Sequence, residues 1–460
     1  MHFDPVLLSR LQFAFVVTFH IIFPTFTIGL SAYIAVLGAM WVKTGQERFL
    51  HIMRFWTRIF AVSFAMGVVS GVVMSYQFGT NWSHFSQVVG NVVGPLIGYE
   101  VLTAFFLEAT FLGVLLFGFH KVPPWLYVLS GFFVAGGTAF SAFWILSANS
   151  WMQTPAGFTM QNGVAFPTDW LAAIFNPSFP YRFAHMVNAA YLTTGFVVLA
   201  VGARFLLAGR HLDVSRTMMR MAIGLVVILA PLQLIIGDLH GLNTLEHQPI
   251  KVAAMEGHWN SNQAGVPFEI FAWPNEKTQS NDYSISIPHA SSLILTHSWD
   301  GKFKGLDSVP AKDRPPVPIV FFAFRIMVAL GLFMIAAACV GAFLWWRGTL
   351  FETRWYLRIM SNCWWIGFVS VISGWITTEV GRQPWIVEGV LRTSDAVSPV
   401  PGDNVLATLI MFVLAYGVVF SFGIYYINRL INRGPEGPSE PEPFAASPIA
   451  AAGPHAAQGG

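Results

Sequence analysis

Charge is the scarcest ingredient of this sequence: 25 Lys and Arg and 23 Asp and Glu make up only 10% of 460 residues, with a formal balance of +2. That balance points to no nucleic-acid partner, so the charges must act by location. Cysteine is nearly absent as well. Cys339 and Cys363 both lie in apolar segments, and no CxxC or CxxCH occurs, which leaves disulfides, a zinc site and covalently attached c-type haem without support. The N-terminus lacks the basic run of a signal peptide, having His2 and Asp4 before Arg10, so the first apolar segment is expected to be retained. No internal repeat is evident.

What is abundant is apolar: 55% of the residues are hydrophobic, gathered in runs long enough to cross a bilayer. The pattern predicts an all-α integral membrane protein with nine transmembrane helices, at about 12–42, 51–78, 93–119, 125–150, 183–207, 217–240, 319–346, 357–380 and 404–430. Lys and Arg sort the connections. Lys43, Arg48, Arg54 and Arg58 surround the first and Lys121 lies in the third. Arg204, Arg210, Arg216 and Arg220 surround the fifth, Arg347, Arg354 and Arg358 the seventh, and Arg429 and Arg433 follow the last span. The second connection, 79–92, has none, and the fourth has only Arg182. By the positive-inside rule the N-terminus is outside and the C-terminus inside. Residues 1–240 then carry six spans and 319–433 three more. Between them 241–318 form a long external connection, read as an ordered lobe or a flexible cover. Residues 434–460, rich in Pro, Glu, Ala and Gly, are expected to be a disordered cytoplasmic tail.

Ionisable groups inside spans are costly, so each is a candidate for function. They are His20, Glu100, Glu108, His185, Arg325 and Glu379. With odd spans running inward and even spans outward, His20, Glu100, His185, Arg325 and Met327 fall in the outer part of their helices, and Glu379 at the outer end of its own. One shared layer is expected. Glu108 lies about two turns deeper than Glu100 on a similar face, as if a polar track led inward. Glu379 ends a run from Leu357, a continuous helix roughly 34 Å long, before Gly381 and Pro384 stop it. In a last turn both burial and the helix dipole oppose a carboxylate, so a cation or a metal should hold Glu379. Arg382 is the ordinary candidate, and haem iron the other. Two His, a Met, carboxylates and an Arg suit haem, with imidazole and thioether as ligands and Arg as propionate partner. Spacing alone equally admits a haem-free proton-coupled transporter.

Three separated stretches carry a resemblance. Lys251-Val252-Ala253-Ala254-Met255-Glu256, Phe322-Ala323-Phe324-Arg325-Ile326-Met327 and Gly381-Arg382-Gln383-Pro384-Trp385 together resemble subunit I of the cytochrome bd-type quinol oxidases, and the likeness runs from the first span to the ninth. The short stretch between Trp299 and Pro318 resembles the short-loop, cyanide-insensitive branch. The resemblance implies a bacterial cytoplasmic-membrane enzyme that oxidises quinol at the outer face and reduces O2 to water, generating a proton motive force without pumping. It implies two b-type haems, one low-spin and one high-spin, and a third haem, d or b in its place. His185 and Met327 match the axial ligands of the low-spin haem, His20 the ligand of haem d, and Glu379 that of the high-spin b haem. Glu100 and Glu108 match carboxylates at the di-haem site and on the proton route, Arg325, Trp375 and Arg382 match haem-edge residues, and Lys251 and Glu256 match the quinol site in the external loop. A second membrane subunit is the implied partner, with a small single-span accessory subunit and lipid alongside it. The stretch Asn149-Ser150-Trp151-Met152-Gln153 shares the likeness without an assigned role. The transporter, and a dihaem quinone dehydrogenase anchor, are the rival readings.

Overall fold

The computed structural model describes residues 4–435, so almost all of the expected tail lies outside the described residues. The first six long helices are α1 (Pro5–Thr44), α2 (Glu47–Thr80), α3 (Ser83–Phe117), α4 (Pro124–Gln153), α5 (Phe179–Leu207) and α6 (Leu212–His247). A short α7 (Pro249–Glu256) follows in the long connection, and then α8 (Val317–Trp346), α9 (Arg354–Ser361), α10 (Ile366–Gly381) and α11 (Gly402–Arg433). Among the described residues eight of these are long and apolar enough to cross a membrane singly, and α9 with α10, bent by 46°, makes a ninth when taken as one span. The chain is a multi-pass membrane protein.

Two boundaries differ from expectation. The eighth span is broken rather than continuous from Leu357 to Glu379. At the break the Asn362 amide donates to the Arg358 carbonyl at 2.8 Å. The backbone N–H groups of Asn362 and Cys363 turn back only three residues, to Ile359 and Met360. This local side-chain and 3₁₀-type bonding ends α9, and α10 restarts at a new angle. The third span begins at Ser83, ten residues before the expected 93, so that only Asn81 and Trp82 separate it from α2. Phe85, Val88, Val89, Val92 and Val93 are buried at helical spacing, and that packing draws a weakly hydropathic stretch into the helix.

The connections are not wholly helical. Among the described residues they hold three antiparallel hairpins: β1 (Phe158–Gln161) with β2 (Val164–Pro167), β3 (Phe268–Asn275) with β4 (Ser280–Ile287), and β5 (Trp385–Val387) with β6 (Leu391–Arg392). The first turns on Asn162-Gly163, both at positive φ, a turn signal that a hydropathy reading passes over. The long connection, called the lobe below, holds α7, β3 and β4.

The largest apolar cluster, which includes Leu37, Met53, Trp56, Phe205, Met218 and Tyr356, fills the half of the bundle at the Lys- and Arg-rich end. There Arg48 meets Asp213 at 3.3 Å and Arg204 donates to Asn432 at 2.9 Å, joining the ends of α2, α5, α6 and α11. Toward the opposite end Arg325 meets Glu256 of the lobe, and Glu379 meets Asn149 near the end of α4.

Candidate functional site

Three of the four candidate haem ligands, His20, His185 and Met327, face a glycine on a neighbouring helix. A Cβ at Gly71 would stand 3.1 Å from His20 Cε1, one at Gly237 3.3 Å from His185 Cε1, and one at Gly374 3.0 Å from Met327 Sδ. His20, His185, Met327 and Glu379 are all partly accessible although helices surround them. Small neighbours and open edges are what a large planar group inserted between helices requires. The His20 ring makes a further point. Its Nδ1 lies 3.0 Å from Ser70 Oγ, while that hydroxyl reaches the Met66 and Gly67 carbonyls, each at 3.0 Å. With its proton committed to a carbonyl, Ser70 accepts from Nδ1, which leaves the Nε2 lone pair free for a metal. His185 Nδ1 is buried without a partner, and the ring lies 5.4 Å from that of His240, a residue sequence reasoning passed over. Trp375, partly buried, follows Gly374 on α10. These residues fit haem, and the candidates stand singly. Among the described residues no group of three or more His, Cys, Asp or Glu gathers around one point.

Glu379 is held as the sequence demanded, and by more than one group. Arg382 pairs with Oε2, while Asn149 and Gln153 donate to Oε1 at 3.1 and 3.3 Å. Arg182 is bonded to Asn149 and, at 3.1 Å, to Ser150. This gives the stretch from Asn149 to Gln153 a place, at the C-terminus of α4 under Glu379. Arg182 counted in the sequence only as a stray loop charge. Its signal was its position three residues before His185, in the first turn of α5. Arg382 is buried, yet its Nε and Nη1 have no partner, as expected of a guanidinium that completes its bonding on an acidic group such as a haem propionate.

Lys251 and Glu256 share α7 but do not meet. Both are buried, at 5% and 6% exposure, which rules out a solvated loop pair. Lys251 Nζ donates to Gln153 Oε1 at 2.5 Å and Gln248 Oε1 at 2.8 Å. Burial and the nearby Arg182 push its ammonium well below the usual lysine range, with Glu379 and Glu388 opposing them. Glu256 instead accepts from Ser291 at 2.6 Å and pairs with Arg325 at 3.4 Å, and it lines a cleft of about 260 Å³ with Trp259, Glu269 and Asn281. Arg325 also donates to the Glu269 carbonyl at 2.5 Å and that of Met255 at 3.2 Å, between the rings of Phe268 and Phe321. Three of its five N–H donors are thus used on the lobe, whereas Arg382 keeps Nε and Nη1 unpartnered.

The expected single layer becomes a gradient along α4. Glu379 meets Asn149 and Gln153, Glu100 accepts from Ser141 at 2.6 Å, and Glu108 packs on Gly137. At ~1.5 Å per residue, Glu100 is therefore roughly 12 Å and Glu108 roughly 18 Å below Asn149. The early start of α3 accounts for the difference. Both carboxylates face α4 because Val101–Phe105, between them, is a π-turn. Two α-turns take ~7.2 residues and a π-turn adds roughly one, so eight residues complete about two turns. Glu108 is buried with Oε1 unpartnered.

The model of the family described as cytochrome bd terminal oxidase subunit I matches residues 8–435. The chain belongs to this family. Cytochrome bd ubiquinol oxidase subunit 1 of Bacillus subtilis is 34% identical, with 94% of each chain covered. Cytochrome bd-II ubiquinol oxidase subunit 1 of Escherichia coli is 30% identical, over 96% of this chain and 99% of its own. The bd oxidase structure from Geobacillus thermodenitrificans superposes with a TM-score of 0.87 at 29% identity, covering 94% of this chain and all of its counterpart. The long helices, the bent span and the lobe are thus a cytochrome bd subunit I architecture.

Proposed function

We propose that this chain is the haem-bearing subunit of a quinol:oxygen oxidoreductase of a bacterial cytoplasmic membrane, working beside a second membrane subunit, with a small single-span subunit as an accessory. The observation that carries the reading is the Arg325 clamp. Arg325 ties Glu256 and the lobe to α8 two residues from Met327, so a donor bound at the lobe abuts the helix of a candidate haem ligand. His185 and Met327 would hold the low-spin b haem, His20 the haem d position, in which a b haem can stand, and Glu379 the high-spin b haem. Bound there, haem supplies one-electron acceptors and the iron at which O2 is reduced.

The chain's own residues handle protons and position. Glu256 Oε2 is engaged by Ser291 and Arg325, and a carboxylate retains further lone pairs that can take a proton from a quinol hydroxyl at the cleft. Lys251 has three N–H donors, of which two are engaged; the third can bind a quinol oxygen. Glu108 and Glu100 offer proton-carrying sites along α4 toward the di-haem site. With the N-terminus outside, quinol protons leave outside and the protons for water enter from inside, so turnover separates charge without a pump. The alignment with the Escherichia coli relative extends over 509 positions, against 460 residues in this chain, which suits the short-loop type.

The test uses the purified two-subunit complex. Its reduced-minus-oxidised spectrum should show b-type haem. Lys251→Ala and Glu256→Ala should each cut quinol oxidation by about tenfold or more with haem content unchanged, while reduction by an artificial donor persists. Normal quinol kinetics in both variants would remove the lobe as the quinol site.

A further inference from the structure

Glu388 stands at the turn between β5 and β6, nine residues past Glu379, in none of the motifs that carry the family likeness. Its backbone N–H is fastened to the Met152 carbonyl at 3.0 Å, beside Gln153. Its Oε2 accepts from Gln248 Nε2 at 3.1 Å, and the same Nε2 donates to Gln153 Oε1, also at 3.1 Å. Two acceptors therefore flank the amide nitrogen of Gln248. That fixes which way the amide faces, because its other end, Oε1, must then point at Lys251 Nζ, 2.8 Å away. An amide turned over would set its NH2 group against an ammonium and its oxygen against two other oxygens.

We propose that Glu388 is a positioning residue for quinol oxidation: by accepting from Gln248 Nε2 it locks that amide so that its oxygen holds Lys251 Nζ in place beside Gln153. The inference rests on the reading of Lys251 as a quinol-binding group. Lys251 needs this support because both of its acceptors, Gln153 and Gln248, are neutral amides. The charges around it are of both signs: Arg182 from α5, Glu379 from α10, Arg382 just past its end, and Glu388 itself. Burial pushes the Glu388 carboxyl up, and the role survives protonation, since a carboxylic acid still has a carbonyl oxygen to accept with. A glutamine at 388 can do the same, and a leucine cannot.

The experiment measures decylubiquinol oxidation and haem spectra in the complete complex for Glu388→Leu, Glu388→Gln, Lys251→Met and the double change Glu388→Leu with Lys251→Met. Glu388→Leu should raise KM about tenfold with a smaller effect on kcat and native spectra, and Glu388→Gln should stay within about twofold of the parent. The double change should be no worse than Lys251→Met alone, because both act on one ammonium. If Lys251→Met raises KM but Glu388→Leu does not, or if Glu388→Gln is as damaging as Glu388→Leu, this inference fails and the quinol reading stands. If Lys251→Met leaves KM unchanged, this inference fails together with the reading of Lys251 as a quinol-binding group. Should Glu388→Leu not assemble, Gln248→Leu removes the same amide, and an unchanged KM there overturns the inference equally.

Discussion

At Glu379 the ordinary and the functional explanations make different demands on the same atoms. A helix-end carboxylate needs one cation, and Arg382 supplies it; yet Asn149 and Gln153 also converge on Oε1, and the side chain is still 28% exposed. An already neutralised carboxylate that keeps an open side suits a ligand to ferric iron. Glu379→Gln should therefore lose or alter the high-spin b haem, because a neutral amide is a much poorer ligand than a carboxylate. Haem quantified per protein decides it, and a full complement with native spectra returns Glu379 to a helix cap. Met327→Leu should remove the low-spin signal instead, since leucine keeps most of the volume against Gly374 but offers no sulfur lone pair. An unchanged low-spin signal would withdraw Met327 from the ligand set.

At the scale of elements, α4 is the rail along which the polar residues are spaced, and its small residues leave room for them. A Cβ at Gly137 would stand 2.7 Å from Glu108 Cγ, whereas one at Gly136 meets nothing within 4 Å. Gly137→Ala should displace Glu108 and slow turnover about tenfold at unchanged quinol KM, if the carboxylate carries protons. Gly136→Ala is the control and should behave as the parent; equal turnover in the two variants would take Glu108 off the proton route. How much of this was legible in the sequence follows from range. Nine spans could be read because hydropathy is a local property, and Glu379 with Arg382 could be paired because three residues of helix join them. The π-turn that rotates Glu108 onto α4, and the break at Asn362, depend on hydrogen bonding that hydropathy does not record. The partners of Lys251 and Arg325, 98 and 69 residues away in Gln153 and Glu256, were out of reach, because no local pattern says which distant polar group a buried charge will meet.

For the molecule as a whole, the question is what keeps the lobe seated on the bundle. Arg325 reaches from α8 into the lobe, with Glu256, the Met255 and Glu269 carbonyls and two aromatic faces around it. The pair is 10% and 6% exposed, so removing one member strands a buried charge, at a cost of about 3–5 kcal/mol. Arg325→Met keeps the apolar stem against Phe268 and Phe321 but leaves Glu256 with Ser291 alone. That variant should be cleaved faster by added protease within residues 257–316 while its low-spin haem spectrum stays native, because Met327 itself is untouched. Adding Glu256→Gln should recover part of the resistance, as it removes the stranded charge. Quinol oxidation should stay low in both, since neither restores the carboxylate and its clamp together. A parental cleavage rate in Arg325→Met would mean that the lobe is seated by its apolar contacts, and the route from quinol to α8 would then need another anchor.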